Sequence, residues 1–203
     1  MKLNVIKLIA LLAIGASLNV QAAEDVNHDV NRQNSSKLLV YIQPVDYTNP
    51  IRLWHPYYDY WTYQGPVLEK VAVSQLADAY GDVGVCEVNQ SGKALVWLQP
   101  KLFYNPQVQL FYGEVTASVY KGIGEHLGEY VGKSQVRGFL SRHAEASIEQ
   151  TYAAAVADLV AKMQADQPLQ ARLEATTQVN PADHTPCGMV TLFPTKKIKA
   201  MSF

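Results

Sequence analysis

The sequence predicts an α+β protein, a two-layer sandwich in which two helices pack on one face of a mostly antiparallel sheet of about five strands. Three observations lead to this prediction. Two segments, at residues 66–80 and 147–166, carry apolar side chains at helical spacing. A block of strand-like segments divided by turns separates them. Finally, 48% of the 203 residues are hydrophobic and 17% are charged, which is enough apolar surface for a buried core.

The first 22 residues are interpreted as a cleavable export signal. Lys2 and Lys7 supply its positive start, an apolar run of about 11 residues follows, and Val20 and Ala22 occupy the positions that signal peptidase reads. That run and all later apolar stretches are too short for a membrane span. Residue 23 is Ala, so no cysteine is in place for a lipid anchor. We therefore expect a soluble periplasmic protein with a flexible lead-in at residues 23–36.

Residues 37–166 are predicted to form a single domain that begins with a buried strand, Lys37–Val45. The pair Gly65-Pro66 then opens a helix, because proline is tolerated at the first helical position, and Gly81 lies just past its end. The apolar face of this helix consists of Leu68, Val71, Ala72, Leu76 and Ala79.

Four further strands are predicted after this helix. The first, Val83–Val88, is short and is followed by a turn. The second, Ala94–Tyr104, contains Pro100, which indicates an edge position or a bend because proline cannot donate to a strand ladder.

The two remaining strands differ in their alternation. In Gln107–Gly122 apolar residues occupy even positions before Gly113 and odd positions after it, which predicts a β-bulge at Gly113. Glu129–Ser141 alternates regularly and predicts a sheet with one wet face. That face carries Lys133, Gln135 and Arg137.

The second helix is predicted at Ser147–Asp166. Ser147 and Gln150 form a capping box at its start, and Pro168 lies just beyond its end. Its apolar stripe consists of Ile148, Tyr152, Ala155, Leu159 and Met163. Residues 167–203 are predicted to be a tail that a disulfide ties back to the sheet.

Cys86 and Cys187 are the only two cysteines, and an even number in an oxidising compartment predicts one structural disulfide. For a loop of this length the chain-entropy model gives about 4–5 kcal/mol of stabilisation as an upper figure. The alternative is a reactive or metal-binding thiol assisted by His184. A single His-x-x-Cys lacks the four ligands of a structural zinc site, so the disulfide is favoured.

An aromatic stretch between the first strand and the first helix is the unusual feature of the chain. It fits neither a strand nor a helix period and predicts a long ordered loop. Its rings cover the core, bind a partner protein, or form a platform for a sugar. The residues assigned to partner binding are Trp54, Tyr57, Tyr58, Tyr60 and Trp61.

No catalytic motif is found, and no cofactor or metal is expected. Ser141, Arg142, His143 and Glu145 nominally supply a nucleophile, a base and an orienting group, yet a polar lead-in to the following helix explains them better. The lysines near the end of the chain indicate solvation or contact with an anionic surface. A formal net charge of −1 excludes a dedicated nucleic-acid binder.

The order of elements resembles two groups of small bacterial envelope proteins, the YajG-like lipoproteins and the auxiliary lipoproteins of ABC-type lipid transport systems. The resemblance covers Lys37–Asp166 and includes the strand that runs into QPV, the Gly-Pro-headed helix, the segment YGEVTASVYKG and the last amphipathic helix. It implies an envelope role without catalytic residues. This chain departs from those families in having no cysteine to acylate and in its disulfide-tied tail.

The leading functional hypothesis is a non-enzymatic soluble periplasmic protein that binds an envelope partner, as an adaptor or in an auxiliary role. A small periplasmic hydrolase with His143 or His55 as its base is one alternative. A soluble carrier of a small apolar or carbohydrate ligand is the other.

The signal interpretation predicts that the periplasmic protein begins at Ala23, because the peptidase requires small residues at positions 20 and 22. Intact-mass measurement of the protein from a periplasmic fraction checks this. The variant Ala22→Arg should accumulate uncleaved at the membrane. A full-length chain in the soluble fraction would contradict the interpretation.

Overall fold

The computed structural model describes residues 37–87, 90, 92–122, 124–141, 143–175 and 186–196. The predicted signal and lead-in, His28, His184, and the later lysines at 197 and 199 lie outside these described residues. The strands are β1 (Leu38–Ile42), β2 (Ile51–Leu53), β3 (Tyr60–Thr62), β4 (Val83–Val85), β5 (Ala94–Asn105), β6 (Leu110–Lys121) and β7 (Glu125–Arg137). The helices are α1 (Pro44–Thr48), α2 (Gln64–Tyr80), α3 (Glu145–Ala165), α4 (Gln167–Ala175) and a 3-10 helix (Pro186–Leu192).

The main sheet has five strands in the order β4-β1-β5-β6-β7. Strand β1 pairs in parallel with both β4 and β5, whereas β5, β6 and β7 form an antiparallel meander. The α+β class is confirmed, but the prediction of a mostly antiparallel sheet is wrong because the sheet is mixed. The reason is the connection through α2, since a helical crossover returns the chain to the same end of the sheet and sets β4 parallel to β1.

Helices α2 and α3 supply the main helical packing against the sheet, as predicted, but they are not the only helices. Four of the five predicted apolar residues of α2 are buried and Ala79 packs against the core, while the whole predicted stripe of α3 is buried. Helix α4 adds Leu169 and Leu173 to the same core, so part of the predicted tail belongs to the packed layer. None of the helices among the described residues is long and apolar enough to cross a membrane.

Helix α3 begins two residues earlier than predicted, with Ala144 at its N-cap and no capping side chain. The capping box at Ser147 is therefore wrong. Leu140 and Ala144 are both buried in the core, so the loop before α3 is fixed by apolar packing and the helix starts from there.

Strand β6 shows no bulge at Gly113. Its odd residues face the core from Phe111 to Val119, and Leu110 and Tyr112 lie on the opposite face. The register between β6 and β7 shifts instead between Val119 and Tyr120. The alternation in the sequence changed because the opposite face also carries apolar side chains at one end of the strand.

Pro100 lies inside β5, which is a central strand. The pairing of β5 with β1 ends at Leu98, and the pairing with β6 continues through Pro100 to Asn105. Pro100 thus lies where β5 has no neighbour on its β1 side, which is the local edge that proline tolerates.

Helix α3 lies against β7 at backbone distance. A Cβ added to Gly132 would stand 2.0 Å from the carbonyl oxygen of Ala155 and 2.8 Å from the backbone nitrogen of Leu159. The edge of β7 is covered there, because the Asp158 carboxylate accepts the Lys133 N–H at 2.9 Å and Lys162 Nζ donates to the Val131 carbonyl at 2.8 Å.

The opposite face of the sheet is covered in part by residues 186–196, which we call the C-terminal segment. The predicted disulfide between Cys86 and Cys187 is present and holds this segment against β1 and β5. The Phe193 ring stacks on Trp97 with 4.2 Å between ring centroids. Lys196 Nζ pairs with the buried Asp46 carboxylate at 2.5 Å, which fixes the far end of the segment.

The close approach at Gly132 predicts that Gly132→Ala lowers the free energy of unfolding by about 1–3 kcal/mol, because helix backbone must move to admit the methyl group. Urea unfolding followed by circular dichroism measures this. Gly188→Ala is the matched control, since an added Cβ there meets nothing within 4 Å. Equal effects of the two substitutions would contradict the packing argument.

Candidate functional site

The aromatic stretch forms a short antiparallel hairpin, which we call the aromatic hairpin, at residues 51–62. Strand β2 pairs with β3 from Ile51 opposite Thr62 to Leu53 opposite Tyr60. Leu53 is buried and Tyr60 packs against the core, so the hairpin is anchored to the helix side of the sheet. The sequence predicts a loop here because paired segments of three residues are too short to show a period.

Four of the five residues assigned to partner binding are exposed. Trp54 is 49% exposed, Tyr57 89%, Tyr58 42% and Trp61 42%. Tyr60 differs from them because it packs against the core. The hairpin therefore presents several large rings to solvent within a few residues of chain.

Local contacts order the turn of the aromatic hairpin. The His55 ring stacks on Tyr58 with 4.2 Å between centroids, and His55 Nδ1 accepts the Tyr57 N–H at 3.3 Å. Arg52 Nε donates to the Asp59 carboxylate at 2.7 Å. This ion pair is exposed, so it adds little stability and chiefly restricts the conformation of the turn.

A second surface lies on β5, β6 and β7, on the sheet face opposite the helices. It is an open concavity of about 440 Å³. Two cross-strand rows form its floor, one from Lys101 through Glu114 to Lys133 and one from Phe103 through Tyr112 to Gln135. Leu102, Gly113 and Ser134 complete its lining. We call this surface the open sheet face.

Charge and aromatic groups alternate on the open sheet face. The Glu114 carboxylate accepts a hydrogen bond from Lys101 Nζ at 2.7 Å and lies 3.3 Å from Lys133 Nζ. The hydrogen bond from Lys101 is the main reason why the pKa of Glu114 lies below its ordinary value. Beside them the rings of Phe103 and Tyr112 lie 5.9 Å apart.

The sequence predicts only the β7 side of this surface. Lys133, Gln135 and Arg137 are exposed on one face, as predicted. Lys101 and Glu114 were missed because only the β5–β6–β7 register places them beside Lys133. The alternation of polar residues along β7 indicated an exposed sheet face. It did not show which residues of β5 and β6 lie beside them.

The residues considered for catalysis do not form a triad. The Ser141 hydroxyl accepts the backbone N–H of His143 at 3.2 Å, and Ser141, His143 and Glu145 are all exposed. Arg142 lies outside the described residues. Within the described ranges no three His, Cys, Asp or Glu side chains are grouped to hold a metal ion.

The strongly shifted pKa values belong to packed tyrosines. Burial, followed by a hydrogen bond to Glu69, raises the pKa of Tyr47 above its ordinary value. Burial likewise raises the pKa of Tyr152, whose hydroxyl donates to Gln64 Oε1 at 2.8 Å. Burial also raises the pKa of Asp46, against the opposing effect of Lys196. These groups connect elements of the fold.

No family model matches the chain, and no curated protein matches it. Among solved structures it is similar to protein XCC0632 from Xanthomonas campestris, assigned to the DUF330 family, at 13% identity and a TM-score of 0.42. That match covers 70% of this chain and 88% of the other. A protein from Caulobacter crescentus CB15, provisionally described as a lipoprotein, matches at 12% identity and a TM-score of 0.32, over 54% of this chain and 83% of the other.

The contacts of Glu114 predict that Lys101→Met raises the pKa of this carboxyl toward its ordinary value, because the largest stabilising contact is lost. In the native protein the contribution of ionised Glu114 to the free energy of unfolding is fully present above the pKa that its carboxyl has in the unfolded chain. It is lost as the pH falls through the lower pKa of the folded protein. NMR titration of the glutamate side-chain carboxyls measures the change. Lys70→Met, which removes the partner of Glu149, should leave Glu114 unchanged.

Proposed function

We propose that this chain is an exported, non-enzymatic protein of the bacterial envelope that binds a partner protein through the aromatic hairpin. The observation that carries the proposal is the exposure of Trp54, Tyr57, Tyr58 and Trp61 on one ordered hairpin. Rings of this kind offer a flat apolar surface together with a polar tip, which suits a surface that is wet before binding and buried afterwards.

The construction of the aromatic hairpin supports a binding role. Leu53 and Tyr60 anchor it in the core, and the contacts within its turn limit the motion of the exposed rings. A partner then meets a turn that internal contacts already restrict in part, which reduces the entropy lost on association. Rings that served only to cover the core would lie with their faces buried, as Tyr152 does.

A non-enzymatic role is supported by the titratable groups whose pKa is shifted. Glu114, on the open sheet face, has a lowered pKa, so its carboxylate is a weaker base than usual. Burial raises the pKa of three packed groups. Tyr47, Tyr152 and Asp46 each contact another structural element. A catalytic acid or base needs its shifted pKa at a site that substrate reaches. His143, one of the two residues considered as a base, is exposed. Its backbone N–H, and not its ring, donates to Ser141 Oγ.

Location in the envelope is supported by the sequence pattern of residues 1–22 and by the disulfide. A positive start, an apolar run and small residues at the cleavage positions are typical of export signals. A disulfide that joins residues 101 positions apart persists in an oxidising compartment such as the periplasm.

Crosslinking in living cells, followed by purification from the periplasm and mass spectrometry, tests the proposal. We expect one envelope protein to be captured by the native chain and lost in the double variant Trp54→Ala/Tyr58→Ala. The thermal unfolding midpoint of this variant should change little, because nearly half of each side chain is already exposed and neither belongs to the core.

Phe139→Ala is the matched control, since it removes an aromatic ring that is 68% exposed outside the hairpin. It should retain the partner. Loss of the partner in the control as well as in the double variant, or a large loss of stability in the double variant alone, would refute the aromatic hairpin as the binding surface.

A further inference from the structure

The open sheet face lies on strands that the aromatic hairpin does not include. We infer that this face binds a small organic anion with a planar aromatic body. Its volume of about 440 Å³ lies within the range of protein sites for small molecules. The inference is independent of the proposed partner binding.

The same sheet face already holds one aromatic ring at another position, which supports an aromatic body in the ligand. Next to the open sheet face the C-terminal segment places the ring of Phe193 flat on Trp97, with 10° between the ring planes. Tyr41 and Tyr120 flank that ring at 5.9 Å and 5.2 Å between centroids. The face thus already accommodates one inserted aromatic ring.

Phe103 and Tyr112 provide a further pair of aromatic rings on the same sheet face, beyond the C-terminal segment. Phe103 is 58% exposed and its ring lies at a tilt of 40° to that of Tyr112. An aromatic body placed against these rings gains the contact that Phe193 makes with Trp97. Among the described residues, Tyr112 is the one aromatic ring that contacts Phe103, and it does so at a tilt.

The charges of the open sheet face support an anionic group in the ligand. Lys101 and Lys133 share a single carboxylate, Glu114, so the row carries a net positive charge. Both lysine side chains are about 70% exposed, which leaves donors free to turn toward a second anion. Arg137 lies exposed two residues along β7 from Gln135 and adds a further positive charge on the same face.

Glu114 has a specific role in this site. It holds the two lysines on either side of the floor, and it competes with an incoming anion for their donors. Removing its charge while keeping its size therefore strengthens anion binding, whereas removing the lysines weakens it. These opposite signs separate a charged site from general apolar adsorption.

The probe is 1-anilinonaphthalene-8-sulfonate, which combines a planar aromatic body with an anionic group, and its fluorescence is titrated with the full disulfide-bonded protein. We expect saturable binding at one site. Lys101→Met/Lys133→Met should weaken it by about tenfold or more, which corresponds to about 1.4 kcal/mol. Glu114→Gln should strengthen it severalfold. Lys70→Met, on an exposed pair elsewhere, should leave it unchanged.

A second probe, N-phenyl-1-naphthylamine, has the same rings without the sulfonate. Its binding should not change in the lysine variants and should weaken in Phe103→Ala. The double variant Trp54→Ala/Trp61→Ala should bind both probes as the native protein does, which separates this site from the aromatic hairpin.

Absence of saturable binding overturns the inference. Equal weakening in Lys70→Met, no change in Glu114→Gln, or loss of binding in the Trp54/Trp61 variant overturns it as well. Sedimentation velocity at the titration concentrations completes the test. A dimer that Lys101→Met/Lys133→Met dissociates would show that a second copy of the chain covers the open sheet face, and the small anion would be excluded.

Discussion

The structure depends on the backbone contact between helix α3 and strand β7 at Gly132, where a side chain would meet the carbonyl oxygen of Ala155. With no Cβ between them, the helix lies low enough for Asp158 and Lys162 to reach the outer backbone groups of β7. These two contacts cover part of an edge strand that would otherwise be open to strand addition. The same approach lets Ser134 Oγ donate to the Thr151 carbonyl at 2.7 Å. The absence of a side chain at residue 132 thus determines both the distance of α3 from the sheet and the contacts that cover the edge of β7.

The helix layer occupies one face of the sheet, which leaves the other face to be covered by different means. Leu39, Leu95 and Trp97 would be exposed there, and the C-terminal segment buries them. That segment is a single short stretch of chain, residues 186–196, and cannot form a layer by itself. Its position depends on the disulfide at Cys187 and on the pair between Lys196 and Asp46. Among the described residues the coverage ends at that pair, and the part of the face on β5 to β7 beyond it is open.

The sequence predicted the features that depend on a single element. The two amphipathic helices, the wet face of β7 and the disulfide follow from periodicity or from a count of two cysteines. Features that depend on the pairing of elements were missed. The parallel neighbours of β1 follow from a crossover through α2. The switch of apolar residues from even to odd positions at Gly113 arises because Leu110 and Tyr112 lie on the face opposite the core. The sequence of one strand alone does not distinguish such a switch from a bulge.

The candidate sites divide in the same way. The aromatic hairpin was found as a set of residues, since six rings within ten positions are visible in any sequence. Its strand pairing was not predicted, because three-residue strands have no detectable period. Of the open sheet face, only the β7 side with Lys133, Gln135 and Arg137 was predicted. Lys101, Glu114 and Lys133 are separated by 13 and 19 positions, and nothing in their spacing marks them as neighbours until the register of three strands is known.

The disulfide connects these observations, because it anchors one end of the C-terminal segment, whose other end at Lys196 borders the open sheet face. From Cys187 the chain runs along the sheet to Lys196, whose Nζ lies 3.4 Å from the Pro100 carbonyl. The next residue of β5 is Lys101, the first charged group of the concavity. The covalent bond at one end of this segment and the ion pair at its other end together hold the chain that borders the open sheet face. The disulfide therefore contributes to the shape of this surface as well as to the stability of the fold.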